Sequence, residues 1–187
     1  MATKKKNEWL GFYKQFQLHK ACANDSYRPV MAYIQFKDGY AYATDAHIAV
    51  RANLSNISAL DQEDIAKLNG YFIHSSQYEL LLKFSHIEVG EGFIKLIGED
   101  GISTTLDLKK DLKYPNVDAI INDDSEQKTL PAVGFNYGLL GRLKAAMGLT
   151  SKIVLRFKGN SAALHVSGED SKFYDVRGII MPMLVED

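Results

Sequence analysis

The sequence holds one cysteine, Cys22, and four prolines among 187 residues. A single thiol excludes an internal disulfide framework and an all-cysteine metal cluster, and it points to a reducing compartment, so a cytoplasmic location is expected. No apolar run approaches the roughly 20 residues needed to cross a bilayer. The basic opening Met1-Ala-Thr-Lys-Lys-Lys6 is not followed by the apolar stretch of a signal peptide. Neither a Gly-x-Gly-x-x-Gly nor a Gly-x-x-x-x-Gly-Lys phosphate loop is present, and no common solenoid period recurs. Charge of one sign is also missing. With 22 Lys+Arg against 23 Asp+Glu the net charge is −1, which lacks the basic excess of a protein that grips nucleic acid tightly. What the chain does have is 46% apolar residues, enough to build a core.

The near-neutral sum hides a pattern. Residues 1–57 carry a net +4, 58–128 a net −7 and 129–187 a net +2. Screening confines a surface potential to about 8–10 Å, so it is the local balance that a partner meets. The acidic stretch Asp118-Ala-Ile-Ile-Asn-Asp-Asp-Ser-Glu-Gln-Lys128 reads as a solvated linker between a domain over 1–117 and a smaller unit over 129–187.

Strand signals dominate and come as hairpins. Ala32–Phe36 and Tyr40–Ala43 flank Lys37-Asp38-Gly39, where Asp-Gly supplies the positive φ of a tight turn. Strands at 87–89, 93–97 and 102–108 are separated by glycine-bearing turns, as are strands at 153–157, 162–166 and 173–180. Short strands are also expected at 71–74 and 132–135. Each strand group is preceded by a helical spacing of apolar residues: Trp9, Phe12, Tyr13 and Phe16; then Tyr78, Leu81 and Leu82, with Ser75 or Ser76 as N-cap; then Leu139, Leu140, Leu143 and Met147, with Arg142 off the apolar stripe. The result is a repeated β-α-β-β-β unit, the first copy lacking its opening strand. It predicts an α+β fold with antiparallel sheets on one side and helices on the other.

Few residues suggest chemistry. Asp45 and His47 could form a carboxylate–imidazole pair if the strand continues past Thr44, but neither a nucleophile nor further ligands accompany them. His19, His74, His86 and His165 fall in no ligand-like spacing. Cys22 lacks the setting of a reactive thiol and reads as structural. No catalytic residue, metal or cofactor is therefore assigned. The Met-rich Ile179-Ile-Met-Pro-Met-Leu-Val185 reads as a last core strand or as an edge lining a peptide groove, Pro182 favouring the edge.

Two of these segments are more specific. Tyr42-Ala-Thr-Asp-Ala-His-Ile-Ala-Val-Arg51 resembles the Ala-Thr-Asp-Gly-His-Arg-Leu-Ala-Val motif of bacterial sliding clamps, the DNA polymerase III beta subunit. Gly178-Ile-Ile-Met-Pro-Met-Leu184 resembles that family's C-terminal Val-Val-Met-Pro-Met-Arg-Leu. Between them Lys113-Tyr-Pro-Asn-Val117 is similar to the Phe-Pro-Asp/Asn segment closing a clamp domain. Val133-Gly-Phe-Asn-Tyr137 with Leu139-Leu140-x-x-Leu143 is similar to the strand and helix opening the family's final half-domain. The resemblance implies a DNA-clamp-like fold of reduced size, with residues 1–115 matching the family's middle domain and 129–187 the second half of its last. A ring of about twelve half-units would then need about four such chains.

The resemblance also implies a groove for a linear peptide of a polymerase or clamp loader. It would be formed by Met31, Thr44, Ala46, His47 and Ile48 with Pro115, Ile120, Ile179, Ile180, Met181, Pro182, Met183 and Leu184. Ile48 and Leu184 stand where the family has arginine, so the groove is expected to be more apolar. Sequence-independent duplex DNA contact is implied for the basic helix faces and for the loop Asp25–Arg28, through Lys14, Lys20, Tyr27, Arg28, Arg142 and Lys144. Two readings follow. One is a non-enzymatic, homo-oligomeric DNA-tethering processivity factor. The other is a clamp-fold peptide-binding adaptor or decoy that does not encircle DNA.

Overall fold

The structure is a computed structural model that describes residues 10–24, 26–121, 133–149, 152–157, 162–168 and 174–183. Its first half is a meander: β1 (Tyr33–Lys37), β2 (Tyr40–Thr44) and β3 (Ile48–Asn53), followed by the short helices α1 (Leu54–Ile57) and α2 (Gln62–Leu68). Asp38 (φ 51°) and Gly39 (φ 80°) make the expected tight turn between β1 and β2. The chain then runs through β4 (Phe72–His74), α3 (Ser75–Leu81), β5 (His86–Gly90), β6 (Phe93–Ile97) and β7 (Ser103–Asp107), a complete β-α-β-β-β unit. After α4 (Asp118–Ile121) come α5 (Tyr137–Ala146), β8 (Ile153–Arg156), β9 (Leu164–Gly168) and β10 (Val176–Ile180).

The strands form a seven-stranded antiparallel sheet in the order β4-β1-β2-β3-β10-β9-β8 and a three-stranded sheet β5-β6-β7. The larger sheet crosses the linker expected at 118–128, because β10 pairs with β3 from Val176↔Ala52 to Ile180↔Ile48. Alternation sends Ile48, Val50, Ala52, Val176 and Ile180 to the inner face. There they join Phe36, Tyr78, Leu81, Leu143 and Met147 in the main core. Helices α3 and α5 lie on this side, with the 3₁₀ turn Leu18–Ala21 packed against both. Together these elements give the expected α+β layering.

The expected first helix does not form. Phe12 and Phe16 are fully buried as their spacing implied, but Leu10 bridges to His86 and Phe12 to Ser58. The backbone satisfies itself outside the segment: Leu10 N–H donates to Ser85 O at 2.8 Å, and Tyr13 N–H to Ile57 O at 2.9 Å. Gly11 permits this approach, since a Cβ there would lie 3.2 Å from Phe84 O. Aromatic spacing thus recorded burial, not helix. Helix α3 begins one residue earlier than read. His74 is its N-cap, its Nδ1 accepting from Ser76 N–H, while Gln77 Oε1 accepts from His74 N–H in a capping box. The strand expected at 132–135 reduces, among the described residues, to one bridge between Gly134 and Met183.

The outer sheet face is not bare either. Helix α4 docks on β3 and β10, burying Val117 and Ile121 against Tyr42, Ala49, Ala163 and Ile179, with Tyr114 and Met181 alongside. The stretch read as solvated linker therefore starts as packed structure, and residues 122–128 lie outside the described ones. Arg51, 8% exposed, anchors this layer. It pairs with Asp118 at 3.6 Å and Asp175 at 3.7 Å and lies over the Tyr40 ring, while the Tyr42 hydroxyl donates to Asp118 and that of Tyr40 to Asp175. Burial and the Asp118 carboxylate push the Tyr42 hydroxyl pKa well up.

Gly178 sets how closely α5 can approach β10. A Cβ there would sit 2.5 Å from Met147 Sδ and 3.0 Å from Leu143 Cδ1. Replacing it with valine overpacks a closed interface and should cost about 1–3 kcal/mol. Denaturant unfolding of Gly178→Val against the wild-type chain measures this, and an unchanged midpoint would show that α5 does not pack there.

Candidate functional site

The segment Thr44–Ile48 is a tight turn built almost entirely from its own polar groups. Thr44 Oγ1 donates to Ile48 O at 2.7 Å and accepts from Ala46 N–H at 3.1 Å. Asp45 Oδ1 accepts from the N–H groups of His47 (2.8 Å) and Ile48 (2.9 Å). This arrangement satisfies the donors of residues 46–48 where the chain turns from β2 into β3. Ala46 is held at φ 75°, a left-handed conformation that L-residues adopt at a cost. The turn leaves the Ala46 and His47 side chains exposed.

Two arginines fix the turn from outside. Arg28 Nη1 donates to Asp45 O, and Arg142 Nη1 pairs with Asp45 Oδ2 at 2.7 Å. Arg142 also donates through Nε to Lys20 O at 2.9 Å and through Nη2 to Cys22 O at 3.2 Å. Asp45, only 5% exposed, is thereby a structural acceptor. It meets His47 through the backbone N–H and not through the ring, so the pair does not form a carboxylate–imidazole dyad. Among the described residues no three His, Cys, Asp or Glu side chains come together as a metal site would require.

The implied groove residues separate into two classes. His47 O accepts from Met181 N–H at 2.8 Å, and Gly134 O accepts from Met183 N–H at 2.8 Å, which sets the C-terminal segment beside the turn. Met181 packs with Tyr114, Val117 and Ile121 in the outer cluster. Ala46, His47, Ile120 (43% exposed) and Met183 (58% exposed) present side chains to solvent, and Met31, Pro115, Met181 and Pro182 are half-buried. Thr44, Ile48, Ile179 and Ile180 are buried. Ile48 and Ile180 face the helices, while Ile179 lies under α4, so these four support the surface instead of lining it. Leu184 lies outside the described residues.

The implied DNA contacts divide similarly. Lys14, Lys20 and Lys144 are exposed, as is Tyr27 at 91%. Arg28 and Arg142 are committed to the Asp45 turn, and Asp25 lies outside the described residues. Beside Arg142 a cleft of about 350 Å³ opens, lined by His19, Lys20, Asn24, Ser75, Glu79 and Arg142. His19 Nδ1 is buried there with no hydrogen-bond partner. Burial, then Lys20, lowers the His19 pKa, against a raising effect of Glu79. This cleft escaped the sequence reading because its residues come from three separate segments, each unremarkable alone.

Burial, reinforced by Asp45 and opposed by Arg142, pushes the Cys22 thiol up to about 12. The thiolate is therefore absent at pH 8 in the folded chain. Iodoacetamide at that pH should leave native Cys22 unmodified and label it in urea, where the thiol titrates near its usual ~8.5. Equal labelling of both states would contradict a buried thiol. Ala46→Gly relieves the left-handed strain at some cost in unfolded-chain entropy and should stabilise by about 0.5–1 kcal/mol. A lower midpoint in thermal unfolding would contradict the geometry of the turn.

No family model and no curated protein matches the chain. Its structure is similar to several solved ones. A sliding clamp (DNA polymerase III subunit beta) from Bartonella birtlesii bound to griselimycin aligns at TM-score 0.67 and 14% identity over 98% of this chain and 69% of that one. The Helicobacter pylori beta clamp bound to a DNA ligase peptide aligns at 0.64 and 12% over 99% and 68%. The beta chain of DNA polymerase III from Streptococcus pneumoniae aligns at 0.61 and 14% over 99% and 67%. The chain thus has the fold of the bacterial sliding clamps, over about two-thirds of the length of those proteins.

Proposed function

We propose that this chain is a non-enzymatic, clamp-type DNA-tethering protein of the cytoplasm. Its helix side meets duplex DNA without regard to sequence, and the surface around His47, Met181 and Met183 takes a linear peptide from a replication protein. The observation that carries the reading is the junction of the two motif segments: Met181 N–H bonded to His47 O, with His47 and Met183 exposed beside the apolar cluster of Tyr114, Val117 and Ile121. A short peptide with apolar anchors would gain most of its affinity from a few such contacts. The fold-mate from Helicobacter pylori is bound to a DNA ligase peptide, which supports a peptide as ligand class.

Encirclement in this reading needs several copies, about four if a ring holds about twelve half-units. The cations on the helix side are few, so DNA contact would be weak and would fall with salt by roughly 0.9 log unit in affinity per log unit of salt for each phosphate neutralised. A second reading is favoured by one observation: Arg28 and Arg142 are turned inward onto Asp45. It keeps the groove and drops the ring, leaving a peptide-binding adaptor.

Three measurements decide between them. Fluorescence binding of the DNA ligase peptide should weaken roughly tenfold in Met183→Ala and in His47→Ala, the scale of a hot-spot contact. Solution mass across a concentration series should rise to a closed oligomer, and duplex DNA should bind at low salt. A monomer with no affinity for duplex DNA that still binds the peptide is the adaptor. A chain that binds neither has the clamp fold without the clamp role.

A further inference from the structure

The Asp45–Arg142 pair joins two surfaces that the proposed function treats as separate. On one side Asp45 organises the turn carrying His47 by accepting two backbone N–H groups. On the other, Arg142 belongs to α5 and lines the cleft between α5, the N-terminal end of α3 and the Leu18–Ala21 turn, its side chain 38% exposed. Lys20 adds a second cation to that cleft, Ser75, Ser76 and Asn24 add neutral donors, and Glu79 is the carboxylate among the lining residues. That donor set suits a phosphate group, and guanidinium prefers bidentate oxyanions. Arg142 already spends three of its five N–H donors on Lys20 O, Cys22 O and Asp45 Oδ2. A phosphate entering the cleft would compete with a monoanionic carboxylate for the same planar group.

We propose that Arg142 couples the cleft to the turn: it holds Asp45 while the cleft lacks an anion, and a phosphate group bound in the cleft draws it off and loosens the turn that carries His47. Arg28 keeps its bond to Asp45 O, and Asp45 Oδ1 still meets its two backbone donors but opens from them more often once its other oxygen is released, so the turn is relaxed and not dismantled. Arg142 is on this account a positioning residue. The sign of the coupling is negative and it is reciprocal: an occupied cleft weakens whatever needs the turn as it stands, and that ligand weakens phosphate binding by the same factor. The inference rests on the helix side being the side that meets phosphate. Its consequence for peptide affinity rests also on the groove reading, but the coupling itself does not.

Hydrogen exchange of the His47 and Ile48 amides reads the turn directly, with sodium tripolyphosphate as probe and sodium chloride at equal ionic strength as control. Tripolyphosphate should speed exchange of both amides by about fivefold or more, the lower end of ordinary coupling, and the chloride control should not. In Arg142→Gln exchange should be fast from the start and indifferent to tripolyphosphate, while Arg142→Lys should restore part of the protection and part of the response. A merely structural arginine would give the fast exchange of Arg142→Gln without any response of the wild-type chain to the anion, and that result overturns the proposal. So does tripolyphosphate that leaves the His19 ring signals unmoved, since the cleft then takes no phosphate. DNA binding through Lys14 and Lys144, which lie outside the cleft, would survive that second result, and the duplex titration tells the two failures apart. Should Arg142→Gln fail to fold, the response of the wild-type and Arg142→Lys chains alone decides.

Discussion

The arrangement depends on the pairing of β3 with β10, which brings residues 48–52 against residues 176–180 across more than half the chain. Closing so long a loop costs chain entropy that grows only logarithmically with length, so several ladder bonds and the apolar burial along them can outweigh it. Much else follows from this seam. It puts Gly178 under α5, Asp175 beside Arg51, and the N–H of Met181 at the carbonyl of His47. The candidate peptide surface is simply the place where the seam ends and both strands leave the sheet.

Because the seam is central, both its faces must be covered. On the inner face this falls to α5 and the Leu18–Ala21 turn; on the outer face to α4 and the 114–117 segment. Strands buried on both faces are ordinarily apolar throughout. Arg51 breaks the pattern, and the cost of desolvating its charge is offset by two carboxylates, one from the α4 segment and one from the approach to β10. The pair is therefore better understood as a register device than as a source of stability. With α4 and β10 both in place the buried guanidinium has both carboxylates, and an arrangement lacking either would leave its charge less compensated.

What was legible in the sequence was local. The Asp38-Gly39 hairpin, the strands of the β5-β6-β7 sheet and helices α3 and α5 followed from turn chemistry and from short-range periodicity, signals carried by neighbouring residues. Trp9-to-Phe16 misled because helical spacing and an irregular segment with two buried aromatics produce the same letters. Backbone bonds to Ser85 and Ile57, invisible in sequence, decided between them. Helix α2 went unread although Asp61 caps it, with Glu63 and Asp64 in its first turn and Lys67 in its last, because its sparse apolar positions give little periodicity. The motif around Asp45 was found by resemblance, yet its physical role was not, since the partners that define it, Arg28 and Arg142, lie 17 and 97 residues away.

The same two arginines sharpen what the charge balance means. Counted along the chain, they add to a modest basic surface at each end; placed in the fold, Arg142 neutralises the buried Asp45 carboxylate and Arg28 holds the same turn through its backbone carbonyl. The exposed residues Lys14, Lys20 and Lys144 are lysines, which would meet a phosphate as point charges without the fixed fork of a guanidinium. A surface of that kind has no geometry to prefer one position on a duplex over the next. In a single chain it would give little affinity. Repeated around a closed assembly, it would give retention through effective concentration while each contact stayed weak enough to exchange. On the proposed tethering role, near-neutral charge and inward-turned arginines would leave DNA kept but not gripped, and would place the burden of retention on assembly.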